Sequence, residues 1–497
     1  MTREPPAPAN SARAPVSLTA PRRAVPPAGT AAIGRWPPPH IAYLLIAGVN
    51  AVVLIVLIPP FQVHDEFQHY FRAYQLSEGH LLGIVRNGVP GGAIPSSMVS
   101  FVRRTWGTLH LWKTPPLGLH PLLGTWSAFK QPLAPEKRQF AEFMFAGYSP
   151  LFYIPQAIGV GIGRMLGVSP LALLYLGRLA NAAASIAAIA WALRRLPVGR
   201  ASALAIALLP GAQVEFASVA ADGGIIASGF VLVALILQNE RRGSWPWSDV
   251  AAAAVAGAVL SCKLVYAPLL AVGVPGVLRA ARSDGSLRAM RRLAVPQVIT
   301  SALALGSALL WLHWSAANLA SRMLAPERIV AQKAAILGHP LRFACFLVTD
   351  LWRHGLQYYF DTLGVLGAWS VVLPAYVYLC ATLALGLSAT IARDEEDART
   401  FLGDACWNVV LLGGMVVLIQ IAMFVISTPP GVNRLIGVQG RYFLPMGALG
   451  ATTIALLGRR FRRRGGDGSL YGALLALLLI VSLGLDVGAA CGFHVFG

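Results

Sequence analysis

The chain has 497 residues, of which 56% are hydrophobic and only 12% charged, and its mean hydropathy is +0.62. A soluble domain carries roughly 25% charged residues, so this composition excludes a chain solvated over its whole surface and predicts an all-α polytopic membrane protein. The formal net charge of +19 does not point to nucleic acid, because the basic residues fall in short bursts at the ends of apolar runs and are not interleaved with aromatic residues.

Residues 1–40 are rich in Pro and Ala, carry five arginines and predict a disordered cytoplasmic tail. The first apolar run, 41–58, has no small-residue cleavage motif after it and reads as a signal anchor, running from inside to outside. Residues 59–171 then form a long outer loop. Within it, 151–166 is apolar but interrupted by Pro155, several glycines and Arg164, and is expected to lie at the outer interface as a surface helix. Ten further spans are expected at 172–192, 201–219, 222–238, 250–262, 264–279, 294–316, 368–391, 405–427, 443–458 and 470–490, about eleven in all. The spans within 172–316 are helices 2–7, a second outer loop covers 317–367, and 368–497 holds helices 8–11 with a short outer loop at 428–442. Alternation from an inside N-terminus puts Arg194, Arg195, Arg200, Arg241, Arg242 and the bursts at 279–292 and 459–464 on the cytoplasmic side of an inner membrane.

None of the five cysteines stands in a CxxC pair, and no structural zinc site is visible. The informative string follows the first span: His64-Asp65-Glu66-Phe67-Gln68-His69-Tyr70-Phe71-Arg72-Ala73-Tyr74. On one continuous helix Asp65, His69 and Arg72 stack on one face. Adjacent carboxylates at a membrane surface can abstract a proton or hold a divalent cation, although nothing else in the sequence marks a metal site. The same string also suits a solvated interfacial helix anchored by its aromatic residues. Further ionisable residues fall in or at the ends of apolar runs: Arg178, Glu215, Asp222, Lys263 and Arg441, the last within Gln439-Gly440-Arg441-Tyr442-Phe443. A charge at membrane depth costs at least ~2.5 kcal/mol, which marks each as a functional candidate, and the expected topology sends all five to the outer leaflet.

On these residues the chain resembles a family of bacterial membrane proteins called domain of unknown function 2142, itself similar to the GT-C superfamily of membrane glycosyltransferases. The resemblance runs from about residue 41 to 460. It rests on Asp65-Glu66 with His69, Arg72 and Tyr74; on the string from Tyr148 to Ala157; on Arg178 with Asn181; on the turn from Ser218 to Asp222; on Lys263; and on Gln439 to Phe443. It departs from the family in the residues flanking the acidic pair, His64 and Phe67, where proline is more usual. The resemblance implies a GT-C-like fold with Asp65 or Glu66 as catalytic base. It further implies that His69, Arg72, Tyr74, Arg178, Asp222, Lys263, Gln439, Arg441 and Tyr442 bind substrate. The implied reaction transfers a sugar, with inversion, from a polyprenyl-phosphate donor to a glycan, lipid or protein acceptor on the outer face. The implied role of Arg178, Lys263 and Arg441 is to stabilise the departing lipid phosphate. A lipid-linked sugar flippase, or a non-catalytic component of an envelope glycan assembly, is the alternative. A transporter would place its charges at the membrane midplane rather than on one side.

Overall fold

The computed structural model describes residues 36–109, 128–283, 287–318, 326–366, 371–391, 398–458 and 467–492. Most of the expected tail and the arginine burst at 459–464 lie outside them. Among the described residues seven helices are long and apolar enough to cross a membrane: Pro39–Leu57, Pro170–Arg195, Asp222–Arg242, Leu264–Arg282, Leu287–Ser315, Gly403–Ile426 and Gly468–Ala490. Each falls on one of the eleven expected spans.

The other four expected spans are shorter. Residues 250–262 belong to the 15-residue helix Trp247–Ser261, and 368–391 contains the 14-residue helix Ala375–Ser388. Residues 443–458 are a 3₁₀ turn, Gly440–Met446, feeding the 12-residue helix Gly447–Gly458. Residues 201–219 are broken into Arg200–Ala207 and Pro210–Phe216. Pro210 causes the break, because it has no N–H to continue the ladder and its ring clashes with the preceding turn. The Gln213 side chain answers one carbonyl freed there, its Nε2 donating to the oxygen of Ala207 at 2.7 Å.

The region 317–367, expected as an outer loop, instead contains two helices, Glu327–Gly338 and Pro340–Gly364, bent at 103° to each other and together apolar enough to count as an eighth span. Its charges hid that character. Asp350 turns inward, accepting from the Leu435 N–H at 2.9 Å and the Tyr358 hydroxyl at 2.7 Å, while Val348, Trp352 and Leu356 make an exposed apolar stripe at i, i+4 and i+8.

The long first loop is a compact layer with its own core of Phe61, Tyr70, Tyr74, Ile94, Phe101 and Phe143, seated on Leu171, Leu174 and Val219 of the bundle. An all-α chain was expected, yet this layer holds a three-stranded antiparallel sheet of β1 (Ile84–Arg86), β2 (Val89–Pro95) and β3 (Arg138–Glu142), in that order. Arg86 pairs with Val89, so the connection is the two residues Asn87 and Gly88, both at positive φ (51° and 73°), a tight hairpin turn matched to strand twist. The helix Ile154–Met165 has 12 residues, about 18 Å, which is too short to cross a bilayer. It packs along Pro170–Arg195 and turns Ile154, Ile158 and Ile162 outward.

Two sets of charges lie at opposite ends of the bundle. At one end Arg195 and Arg242 bind Asp249 at 2.7 and 3.3 Å, and Arg279 bridges Glu240 and Asp404. At the other, the C-terminal end of Pro39–Leu57 meets the N-terminal ends of Pro170–Arg195 and Asp222–Arg242. Reporter fusions at Thr105 and Gly338 are expected to read outside, and at Arg242 and Arg288 inside. A cytoplasmic reading for the loop bearing Asp65 would overturn the chemistry proposed below.

Candidate functional site

The first spanning helix stops before Pro59-Pro60, and the chain turns through two non-glycine residues in the left-handed region, Phe61 (φ 66°) and Asp65 (φ 61°). Asp65 therefore precedes the helix Glu66–Ser77 and is not part of it. Its carboxylate does not stack over His69 and Arg72, as one continuous helix requires, and the two adjacent acids take different partners.

Glu66 turns into the protein and is fully buried with Arg178. The pair is bidentate, Nε to Oε1 at 2.8 Å and Nη2 to Oε2 at 2.7 Å. The three remaining Arg178 N–H bonds go to the carbonyls of Ile55, Ile58 and Pro59, so all five donors are used. Glu66 also accepts from the backbone N–H groups of Phe61 at 2.9 Å and Val219 at 3.3 Å. This saturated pair pins the end of the first span, the strained turn and the Ser218–Asp222 turn together. In this arrangement both Glu66 oxygens and all five Arg178 N–H bonds are engaged within the protein.

His69, Arg72 and Tyr74 make their contacts within the outer layer. His69 Nδ1 lies 2.7 Å from the Tyr153 hydroxyl and its ring stacks on Phe145 at 4.3 Å; burial pushes its pKa down to about 3, so it is neutral at physiological pH. Arg72 donates to Gln75 Oε1 and to the carbonyls of Leu81 and Tyr148. Tyr74 packs in the core of the outer layer under Arg164.

Around Asp65 a different group converges. Arg441 reaches Asp65 Oδ2 at 3.3 Å, Asp222 Oδ2 at 3.2 Å and Glu215 Oε1 at 3.7 Å. Lys263, at the turn after Trp247–Ser261, binds Asp222 Oδ1 at 2.6 Å. The Tyr442 ring faces both cations, 5.8 Å from Lys263 Nζ and 5.6 Å from Arg441 Cζ, and the Tyr266 hydroxyl donates to its carbonyl. Gln439 Nε2 lies 3.2 Å from His64 Nε2, which is itself 3.3 Å from Asp65 Oδ2. Burial and the Arg441 charge push the His64 pKa down to about 4, against the pull of Asp65 and Asp222. The turn bearing Glu215 and Asp222 is held by Asn181, which donates to the carbonyls of Glu215 and Ser218, and by Gln156, which donates to Asn181 and the Ala220 carbonyl.

Of the expected site residues, Asp65, Asp222, Lys263, Gln439, Arg441 and Tyr442 thus come together, while Glu66, His69, Arg72, Tyr74 and Arg178 form the frame behind them. His64 and Asp361 were not expected in the site. His64 stood beside the acidic pair, a signal available in the sequence. Asp361 carries no such signal: it arrives only because Gly440 lets the two backbones meet, a Cβ at Gly440 falling 2.1 Å from the Asp361 carbonyl carbon. A small cleft of about 50 Å³ opens beside Arg441, lined by Val63, His64, Gly211, Val214, Glu215, Asp361, Val365, Gln439 and Gly440.

Among the described residues no group of three or more His, Cys, Asp or Glu side chains is arranged to hold a metal ion, and Asp65 and Glu66 do not share a face on which a divalent cation would sit. All five cysteines are free thiols.

No curated protein and no solved structure matches the chain. A family model described as predicted membrane protein (DUF2142) matches residues 49–449, a stretch that contains the frame, the cluster and the cleft. The chain belongs to this family of predicted membrane proteins.

Proposed function

We propose that this protein is a membrane glycosyltransferase of GT-C type, moving a sugar from a polyprenyl-phosphate donor to a hydroxyl of an envelope acceptor at the outer face. The observation that carries this reading is the accessibility of one acid. The Asp65 side chain is 24% exposed, against 0% for Glu66, 4% for Asp222 and 7% for Glu215. Of these four acids, Asp65 is the one an acceptor can reach.

In the proposed reaction the acceptor oxygen attacks the anomeric carbon and its proton passes to Asp65. The bond from that carbon to the phosphate oxygen breaks, and the polyprenyl phosphate leaves with the electron pair. Inversion follows from attack opposite the leaving group. Lys263 is 21% exposed and uses one of its three N–H bonds on Asp222, so it keeps donors for a phosphate, and the buried Arg441 adds its positive charge beside it. Arg178 belongs to the frame in this reading.

Lys263→Ala is expected to weaken binding of a polyprenyl-phosphate sugar by roughly 10-fold or more, the loss of about 1.5–3 kcal/mol for a charge-assisted hydrogen bond, with the unfolding midpoint little changed. Arg441 is more enclosed, and Arg441→Ala would leave three carboxylates facing one another, so Arg441→Lys is the better companion. Donor titration of the purified chain in nanodiscs measures both. Unchanged donor affinity in both variants would count against this site.

A further inference from the structure

Glu327–Gly338 and Pro340–Gly364 meet at 103°, and their partners show the depth at which they lie. The Gln332 side chain donates to the carbonyls of Phe424 and Thr428, at the site end of Gly403–Ile426. Phe343 packs on Phe424 with ring centroids 4.8 Å apart, and the Leu347 carbonyl accepts from Gln420 at 3.3 Å. Further along, Asp350 holds the Leu435 N–H, Tyr358 lies 6.2 Å from Phe443, and Thr362 Oγ1 lies 3.3 Å from the Gly440 carbonyl oxygen. Tyr378, in the first turn of Ala375–Ser388, donates to the Gly364 carbonyl. Among these partners Gln420 lies deepest, and it is still only about 9 Å from the end of its helix. An upright helix of 25 residues would reach about 37 Å and meet the far ends of its neighbours. Pro340–Gly364 instead stays beside the site end from its first turn to its last.

The helix has three faces. Leu347, Asp350 and Tyr358 are buried against the bundle. Leu341, Val348 and Trp352 form the opposite stripe and are 82%, 69% and 89% exposed. Arg342 and Arg353 are exposed on the flank of that stripe, on one face because they are about three turns apart. Arg328 and Lys333 are exposed on the preceding helix, and Glu327 is the one exposed acid in 327–356. An apolar stripe with a tryptophan, flanked by cations, matches the boundary between acyl chains and headgroups, where apolar groups insert and guanidinium groups stay with phosphates.

We infer that Pro340–Gly364 lies flat in the membrane interface at the site end, with Leu341, Val348 and Trp352 among the acyl chains and Arg342 and Arg353 paired with net-anionic lipid headgroups. Its composition would allow a span, but its contacts place it along the surface. The same helix holds the loop that delivers Gln439, Arg441 and Tyr442, through Leu435 and Gly440, so the site loop rests on a lipid-seated support. The lipid contact is independent of whether the site transfers sugar.

Two measurements on the full chain in lipid bilayers test this, and neither needs turnover. In the first, nitroxide labels are placed singly at Leu341→Cys, Val348→Cys and Trp352→Cys, with the exposed thiols removed by Cys345→Ser and Cys406→Ser and the unsubstituted background subtracted. Collision with oxygen and with a soluble nickel chelate reads their depth. All three are expected at one level, about 5–10 Å below the phosphates. Levels for Leu341 and Trp352 that differ by about 16 Å would show a span and overturn the inference. So would three labels that sit in water.

In the second, lipids with a photoreactive group beside the phosphate, one phosphatidylglycerol and one phosphatidylcholine, are crosslinked and the adducts mapped by peptide mass spectrometry. The segment 340–356 is expected to take the anionic lipid in preference by roughly fivefold or more. Arg342→Gln with Arg353→Gln should abolish that preference there and leave adducts elsewhere unchanged. Equal labelling by both lipids in the native chain, or a preference that survives in the double variant, contradicts the pairing. Loss of the adducts to inorganic phosphate, at ionic strength matched with chloride, would assign the arginines to a free anion and overturn the lipid assignment.

Discussion

Glu66→Gln and Arg178→Ala are each expected to destabilise the protein by about 3–5 kcal/mol, the usual consequence of leaving one partner of a buried ion pair uncompensated. The expectation is at the upper end because the pair is bidentate, fully buried and bonded to backbone on both sides. In the glutamine variant Arg178 would face a neutral amide with its charge unmatched, and the Phe61 turn would lose a strong acceptor. The measurement is the thermal unfolding midpoint of purified protein in one detergent. Both single variants should fall well below wild type, and Glu66→Gln with Arg178→Met should lie above the sum of the two single losses, because the pair acts as a unit. An unchanged midpoint in either single variant contradicts the structural role.

Asp65→Asn is expected to behave in the opposite way, with little change in stability and turnover lowered by about 10²–10⁴-fold. Asparagine is the informative replacement because it tolerates the left-handed backbone that Asp65 adopts, so the local turn is retained while the base is removed. Alanine would confound the two effects, since a Cβ-only side chain gains nothing from that conformation. Donor affinity should be roughly kept, placing the loss on the chemical step. A fall in donor affinity with turnover per bound donor unchanged would instead make Asp65 a binding residue.

Much of this organisation was readable from residue pattern. The seven long spans carried apolar runs in which a charge is rare, Arg178 and Asp486 being the exceptions away from the ends. The four shorter elements were misjudged because an apolar run does not reveal where it bends: Pro210 breaks one, and the 3₁₀ turn at Gly440 begins another. The helix Pro340–Gly364 was missed for the converse reason, since Asp350 is polar in sequence but spends its charge on Tyr358 and a backbone N–H. The Asn87-Gly88 hairpin had a local signal, but its neighbours are not a clean alternating strand. At the site, residue types were readable and partnerships were not. Asp65 and Glu66 look equivalent side by side, and only the left-handed turn at Asp65 sends one to the cluster and the other to Arg178. Arg178 and Arg441 likewise look alike until their donors are counted, one saturated and one with a buried, unpaired Nε.

The decisive experiment is transfer itself. Purified wild-type protein in nanodiscs, supplied with panels of polyprenyl-phosphate sugars and of envelope glycan, lipid and protein acceptors, should yield a glycosylated product with inverted anomeric configuration, and Asp65→Asn should yield almost none. Wild-type protein that makes no product from any of these donors, while carrying a lipid-linked sugar from one leaflet to the other, would show a transporter and contradict the enzyme reading.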